Sequence, residues 1–224
     1  MDNTNGGNDG CAIHMSLQGK GGVGKSLAAS VLAQYFMARG KPVHCIDADP
    51  VNKTLFQYRA LEAKPLQLLQ DGAIDCRAFD QLMEELLTED GPFIVDNGAS
   101  TFVPLWHYML ENDVPQVLRS GGKKLYVHTV ITGGQALADT ITGFAKLAET
   151  TLDKSIVVSI NEFFGRVEHD DKPFRRLVLL CHRKSLVVLM ETGSARLGTI
   201  RWPRTNGTMS WPRRPTDGFN DTCK

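Results

Sequence analysis

The fold of this chain is decided by the stretch Gly19-Lys20-Gly21-Gly22-Val23-Gly24-Lys25-Ser26. It matches G-x-x-x-x-G-K-[ST], the pattern of a phosphate-binding loop. The short, largely apolar run 12–17 before it predicts a strand, and the run 27–39 after it is rich in helix formers, with Gly40 placed to end the helix. Because this motif requires a strand, a glycine loop and a helix in that order, we predict a nucleotide site. An ordinary glycine-rich turn is the alternative.

The residue types of the loop suit a polyphosphate. Glycines allow backbone N–H groups to converge without a Cβ in the way, and the N-terminus of the following helix favours negative charge. We predict that Lys25 reaches the β- and γ-phosphates and that the Ser26 hydroxyl ligates Mg²⁺. The predicted nucleotide-binding set is the loop and the residue after it: Gly19, Lys20, Gly21, Gly22, Val23, Gly24, Lys25, Ser26 and Leu27.

Two further predicted strands end in carboxylates. The apolar run 42–47 ends at Asp47 and continues into Asp49-Pro50, and the run 93–96 ends at Asp96 in the manner of a Walker B strand. In open α/β sheets the residues just past the carboxyl ends of the strands line the ligand crevice. Carboxylates there suit Mg²⁺ and an attacking water, although Asp-Pro after a strand is often just a turn.

The loop resembles the deviant phosphate-binding loop of the MinD/ParA family of ATPases, which carries a second, signature lysine where this chain has Lys20. The resemblance implies an ATP-bound homodimer in which Lys20 reaches the partner's phosphates. Lys20 would then supply a positive charge in trans, as an arginine finger does. The resemblance also implies that Asp49 orients the hydrolytic water, that Asp47 and Asp96 hold the Mg²⁺ shell with Ser26, and that Asn161 reads adenine. A solvated loop lysine and a turn asparagine are the alternatives for Lys20 and Asn161.

From residue 12 to about residue 169 the chain resembles a narrower group, the TraL proteins, which are ParA-like nucleotide-binding proteins encoded in plasmid conjugal-transfer regions. The similarity lies in the segments 17–26, 46–52, 95–105 and 128–137. Val51 replaces the glutamine usual in partition ATPases, which favours TraL over a ParA-like plasmid partition ATPase. The resemblance implies an α/β P-loop NTPase fold, mostly a parallel sheet with helices on both faces, and a slow Mg²⁺-dependent ATPase acting in the cytoplasm with conjugation-apparatus proteins.

Composition indicates a soluble globular protein. The 224 residues carry no formal net charge, 42% are apolar, and no apolar run approaches the roughly 18 residues of a membrane helix. The five cysteines lack C-x-x-C spacing and the six histidines are scattered, which predicts a reducing compartment and no zinc or iron–sulfur site. The polar start of the chain predicts a disordered lead-in rather than a signal peptide.

The other predicted elements are structural. Asp75 is placed to cap a helix with an apolar stripe, and Gly133-Gly134 to open another. The segment 100–119 is predicted to hold short helical pieces interrupted by Pro104 and Pro115.

The chain divides into a lead-in (1–11), an ATPase domain (12–171) and a C-terminal tail (172–224) in which Lys and Arg outnumber Asp and Glu. The tail lacks the expected strand and helix pattern, so the C-terminal part is atypical or incomplete. Three explanations stay open: an out-of-frame reading, a disordered basic tail, or a contact with DNA or an anionic membrane through Arg and Trp. Two other functions also stay open: a nucleotide-gated binding module without useful turnover, and a defective product that retains its ATP site.

Overall fold

A computed structural model describes residues 12–150, 155–169, 172–173 and 190–191. Its strands are β1 (Ala12–Ser16), β2 (His44–Ala48), β3 (Lys64–Pro65), β4 (Leu69–Gln70), β5 (Ala73–Ile74), β6 (Phe93–Asn97), β7 (Lys124–Thr132), β8 (Ile156–Asn161), β9 (Glu168–His169), β10 (Lys172–Pro173) and β11 (Met190–Glu191). Its α-helices are α1 (Lys25–Ala38), α2 (Thr54–Gln57), α3 (Cys76–Thr88), α4 (Phe102–Glu111), α5 (Val114–Ser120) and α6 (Leu137–Thr150).

The centre of the fold is a seven-stranded sheet in the order β11-β8-β7-β1-β6-β2-β3. Every pairing in it is parallel. The two remaining described pairings, β4 with β5 and β9 with β10, are small antiparallel hairpins. Because β1 lies between β6 and β7, the loop that follows β1 is at the middle of the sheet edge. The predicted, mostly parallel sheet is confirmed.

Two apolar cores lie on opposite faces of the sheet, since alternate residues of a strand point to opposite sides. In β6, Phe93 and Val95 belong to the larger core, which includes buried residues of α3, α4, α5 and α6. Ile94 faces the other way into a smaller core with residues of α1 and α2. Helices therefore cover both faces, as predicted. Among the described residues, none of the helices has the length and apolar character that a membrane-spanning segment requires.

A pair of histidines lies between β1 and β7 beneath α1. His14 Nδ1 and His128 Nε2 are 2.9 Å apart, so one ring donates to the other, and the His14 ring stacks on Tyr126 and contacts Phe36. Burial, reinforced by the neighbouring His128, lowers the pKa of His14 well below its usual value. Burial lowers the pKa of His128 to about 4. Both rings are therefore neutral near neutral pH.

The predicted short helices in the segment 100–119 are confirmed as α4 and α5, and the helical segment breaks between them just before Pro115, but the predicted interruption at Pro104 is wrong. Each proline lies in the first turn of a continuous helix, Pro104 in α4 and Pro115 in α5. The N–H groups of a first turn have no intrahelical acceptor, so proline is tolerated there. The predicted cap at Asp75 is confirmed, because its side chain accepts hydrogen bonds from the N–H groups of Arg77 and Ala78.

The domain boundaries stay predictions. The lead-in lies outside the described residues, and so does the tail except for its residues in β10 and β11.

Candidate nucleotide site

The ends of three adjacent strands bring the predicted polar residues together. Ser16 at the end of β1 pairs in register with Asp96 of β6, and Asp96 pairs with Asp47 of β2. Since these strands are parallel, their carboxyl ends meet at one edge of the sheet, where the loop 19–26 begins. The predicted crevice therefore has its acidic residues and its phosphate-binding loop side by side.

Two glycines of the loop adopt backbone conformations that residues with a side chain rarely adopt. Gly22 has a φ of 73° and Gly24 a φ of 103°, both in the left-handed region. Gly24 is also the N-cap residue of α1, which begins at Lys25. A Cβ at Gly24 would lie 3.2 Å from the Asn161 side-chain nitrogen. Glycine is therefore favoured at position 22 by its dihedral angle alone, and at position 24 by both its dihedral angle and its close approach to Asn161.

The Lys25 side chain points back into the phosphate-binding loop. Its side chain is buried and its Nζ donates to the backbone oxygen of Lys20 at 2.9 Å. Burial lowers the pKa of Lys25, and the nearby carboxylates of Asp96 and Asp49 oppose that effect. A phosphate group entering the loop would offer this ammonium a charged acceptor in place of a carbonyl oxygen.

Asp96 has the burial and the unpaired carboxylate oxygens expected of a cation ligand. The residue is 1% exposed, and neither carboxylate oxygen has a hydrogen-bond partner within the described part of the chain. Burial raises its pKa to about 6, an effect that the neighbouring Ser26 hydroxyl and Lys25 reduce and that Asp47 and Asp49 increase. Unpaired buried carboxylate oxygens are costly. A hard cation with oxygen ligands would satisfy them, so Asp96 and Ser26 fit Mg²⁺.

Asp47 and Asp49 organise the segment after β2. Asp47 accepts hydrogen bonds from the N–H groups of Asp49 and Phe56, at 3.0 and 2.8 Å. Asp49 Oδ1 accepts from the N–H groups of Val51 and Asn52, and its Oδ2 accepts from the Asn52 side chain. Partial burial works to raise the pKa of Asp49, but these hydrogen bonds and Lys25 lower it overall. Asp49 is thus an anion poised beside Lys25.

The segment after β6 packs on the segment after β2. A Cβ at Gly98 would lie 2.7 Å from Asp49 Oδ1 and 3.1 Å from Pro50 Cδ. Gly98 therefore makes room for Asp49. The phosphate-binding loop also lies against α4, the helix that follows β6. A Cβ at Gly19 would lie 3.1 Å from a ring carbon of Phe102 in that helix.

Lys20 forms an ion pair within its own chain. Its Nζ lies 2.7 Å from Asp139 Oδ2, and both side chains are about half exposed. Asp139 stands in the first turn of α6, where the helix dipole also favours an acidic residue. Sequence reasoning missed Asp139, since an acidic residue in a first turn is common and nothing local links it to the loop.

A buried glutamine ties α6 to the start of the loop. Gln18 Nε2 donates to Thr129 Oγ1, to the Val130 backbone oxygen and to the Thr140 backbone oxygen, at 3.0 to 3.2 Å. A Cβ at Gly143 would lie 2.3 Å from Gln18 Oε1, so a larger residue there would have to displace the buried amide that these hydrogen bonds hold. Neither role was predicted, because only the packing of α6 on β7 reveals them.

Asn161 contacts the loop directly. Its Nδ2 donates to the Val23 backbone oxygen at 2.9 Å, and its Oδ1 accepts from the Phe163 N–H at 3.0 Å. These contacts make Asn161 a support of the loop. The reading of adenine by Asn161 stays a prediction.

Comparison with known proteins relates the chain to a nucleotide-binding family. The model of the CobQ/CobB/MinD/ParA nucleotide binding domain matches residues 15–189. Two Escherichia coli proteins named Protein TraL are similar to it. One is 49% identical over 166 residues, which cover 74% of this chain and 69% of that protein. The other is 46% identical over 176 residues, which cover 78% of this chain and 73% of that protein.

Two solved structures share the fold. The MinC:MinD cell division protein complex of Aquifex aeolicus has a TM-score of 0.51 at 16% identity, over 81% of this chain and 82% of the matched chain. FlhF complexed with GTP/Mg(2+) has a TM-score of 0.50 at 15% identity, over 83% of this chain and 67% of the other. At these identities the likeness is one of fold alone.

Proposed function

This chain belongs to the CobQ/CobB/MinD/ParA nucleotide-binding family and to the TraL proteins, and from that premise we propose that it is a Mg²⁺-dependent ATP-binding switch. In this proposal the ATP-bound chain forms a homodimer, hydrolyses ATP slowly and returns to a monomer. The switch acts in the cytoplasm in plasmid conjugal transfer, through contacts with conjugation-apparatus proteins. Contact with DNA through the basic tail remains part of the proposal and lies outside the described residues.

One observation carries the nucleotide site: the buried Lys25 and the unpaired buried carboxylate of Asp96 meet at the loop. Lys25 holds the β- and γ-phosphates, and the backbone N–H groups of the loop surround them. Ser26 and Asp96 hold Mg²⁺, with Asp47 behind them. When bound, the ion neutralises charge that develops on the transferred phosphoryl group.

The cis ion pair of Lys20 supports the dimer part of the proposal. An exposed lysine that bonds Asp139 of its own chain can leave that bond for a phosphate on a partner, since exposed pairs are worth only about 0–1 kcal/mol. The lysine is thereby held ready in the monomer without being bound tightly. A charge supplied in this way from the partner stabilises the transition state of phosphoryl transfer.

Asp49 supports hydrolysis and also limits it. The carboxylate lies beside Lys25, where it can orient a water in line with the γ-phosphate. Both of its oxygens, however, accept hydrogen bonds from Val51 and Asn52. That arrangement favours slow turnover, and it is the observation behind a second candidate function, a nucleotide-gated module that binds a partner without useful hydrolysis.

The experiment compares Lys20→Ala and Lys25→Ala with the unaltered protein. Lys25→Ala should lower affinity for Mg²⁺-ATP strongly, measured by calorimetry, because it removes the charge inside the loop. Lys20→Ala should preserve affinity within a few-fold but abolish the dimer and hydrolysis. Lys64→Ala is the matched control, since Lys64 is another exposed lysine that pairs with an acidic residue of its own chain, Glu85.

Equal loss of binding in Lys20→Ala and Lys25→Ala would contradict the role of Lys20 in trans. Hydrolysis that no partner or DNA stimulates, in a protein that still dimerises, would favour the second function.

A further inference from the structure

A short loop after β8 presents two aromatic rings to solvent. Phe163 is 83% exposed and Phe164 is 54% exposed, and their rings make a T-shaped contact with centroids 5.0 Å apart. Leaving large apolar side chains in water forgoes the stabilisation that burial would give. Neighbouring exposed aromatic rings therefore indicate a contact that the described part of the chain does not make.

This segment, residues 162–167, which we call the β8 loop, is held firmly at its base. The Gly165 N–H donates to the Glu162 backbone oxygen, the Val167 N–H donates to the Glu162 side chain, and Val167 itself is buried. A Cβ at Gly133 would lie 2.0 Å from the Gly165 backbone oxygen, and one at Gly134 2.6 Å from that of Phe164. The backbone beneath the rings is thus fixed against the end of β7.

The β8 loop is tied to the phosphate-binding loop through one side chain. Asn161 donates to the Val23 backbone oxygen and accepts from the Phe163 N–H. Two successive hydrogen bonds therefore separate the backbone of Phe163 from the loop that would hold the phosphates. The base of a nucleotide is covalently tethered to its phosphates, so it must lie at the rim of that loop.

We propose that Phe163 is the platform on which the base of a bound nucleotide stacks, with Phe164 steadying the ring by its T-shaped contact. The inference rests on the proposed nucleotide-binding function and extends it to the part of the ligand beyond the phosphates. Stacking is tolerant of base identity because every base has a π-face. The Asn161 amide nitrogen and oxygen each make one hydrogen bond to the protein and so keep only half of their hydrogen-bonding capacity for a base edge. Stacking on Phe163 would add affinity for the face of the base.

The test measures calorimetric affinity for ATP, GTP, CTP and inorganic tripolyphosphate, each with Mg²⁺, in the full chain. Phe163→Ala should weaken ATP and GTP by about tenfold, CTP by less because a pyrimidine stacks over a smaller area, and tripolyphosphate not at all. Phe163→Trp should restore purine affinity, whereas Phe163→Leu, apolar but without a π-face, should not. Met37→Ala is the control: this exposed side chain lies 12 residues along α1 from Lys25.

Three outcomes would overturn the proposal. Unchanged ATP affinity in Phe163→Ala would assign the rings to a macromolecular partner instead. Equal weakening of ATP and tripolyphosphate would mean that the change disturbs the phosphate loop rather than the base. Failure of the unaltered protein to bind either ATP or tripolyphosphate would refute the nucleotide-binding function itself, which distinguishes that failure from the loss of the platform alone.

Discussion

Replacing Asp96 with asparagine should make the metal-free protein more stable while removing its use of Mg²⁺. The folded chain buries this carboxylate with both oxygens unpaired among the described residues, and burial raises its pKa from 3.8 to about 6. A group whose pKa is raised in the folded state costs stability when it ionises. That cost is absent below about pH 4, grows as the pH rises through about 6, and is complete above it.

The size of the effect follows from the pKa. Raising the pKa of Asp96 from 3.8 to about 6 lowers the free energy of unfolding by about 3 kcal/mol near neutral pH, at 1.36 kcal/mol for each pKa unit. The asparagine must find hydrogen bonds of its own, so Asp96→Asn should raise the free energy of unfolding by about 1–3 kcal/mol. Urea unfolding without Mg²⁺, at about pH 7.5 and about pH 4.5, measures the difference between variant and unaltered chain.

The difference between Asp96→Asn and the unaltered chain should shrink as the pH falls, and Mg²⁺ should stabilise only the unaltered chain in the presence of ATP. Ser100→Ala is a control for substitution nearby, since Ser100 is exposed and lies outside the proposed cation ligands. A less stable Asp96→Asn variant at neutral pH, or a gain that does not depend on pH, would refute the reasoning.

Two further predictions concern the support of the site. Gly143→Ala should lower the free energy of unfolding by about 1–3 kcal/mol, because the new Cβ would lie 2.3 Å from Gln18 Oε1 and displace that buried amide. Urea unfolding measures the change, and an unchanged stability would show that α6 shifts without cost. His128→Gln should flatten the fall in stability of the unaltered chain between about pH 6.5 and about 4. In that interval protonation favours the unfolded state, since burial lowers the pKa of His128 to about 4. The loss of unfolding free energy across the interval should be smaller in the variant by roughly 2–3 kcal/mol. Parallel pH profiles of the two proteins would contradict this prediction.

The sequence predicted the loop, the flanking strand and helix, and the approach of Asp47 and Asp96, because these features depend on local pattern and on the rule that parallel strands end together. The resemblance to the MinD/ParA family and to TraL is likewise confirmed. The prediction was wrong at Pro104, since whether a proline interrupts a helix depends on where that helix begins.

What the sequence could not predict depends on contacts between distant segments. Asp139 pairs with Lys20 across 119 positions, and Gln18 bonds the backbone of Thr140 across 122. No propensity or spacing encodes such distances. The same holds for Gly98, whose missing Cβ makes room for Asp49 only when the segments after β2 and β6 are packed together.

The most direct test of the central claim is the mass of the purified chain in solution, measured by light scattering with Mg²⁺-ATP and with Mg²⁺-ADP. The account predicts a dimer with ATP alone, lost in Lys20→Ala and retained in Lys64→Ala. A chain that has the same mass with both nucleotides, or a Lys20→Ala variant that dimerises as well as the unaltered protein, would contradict it.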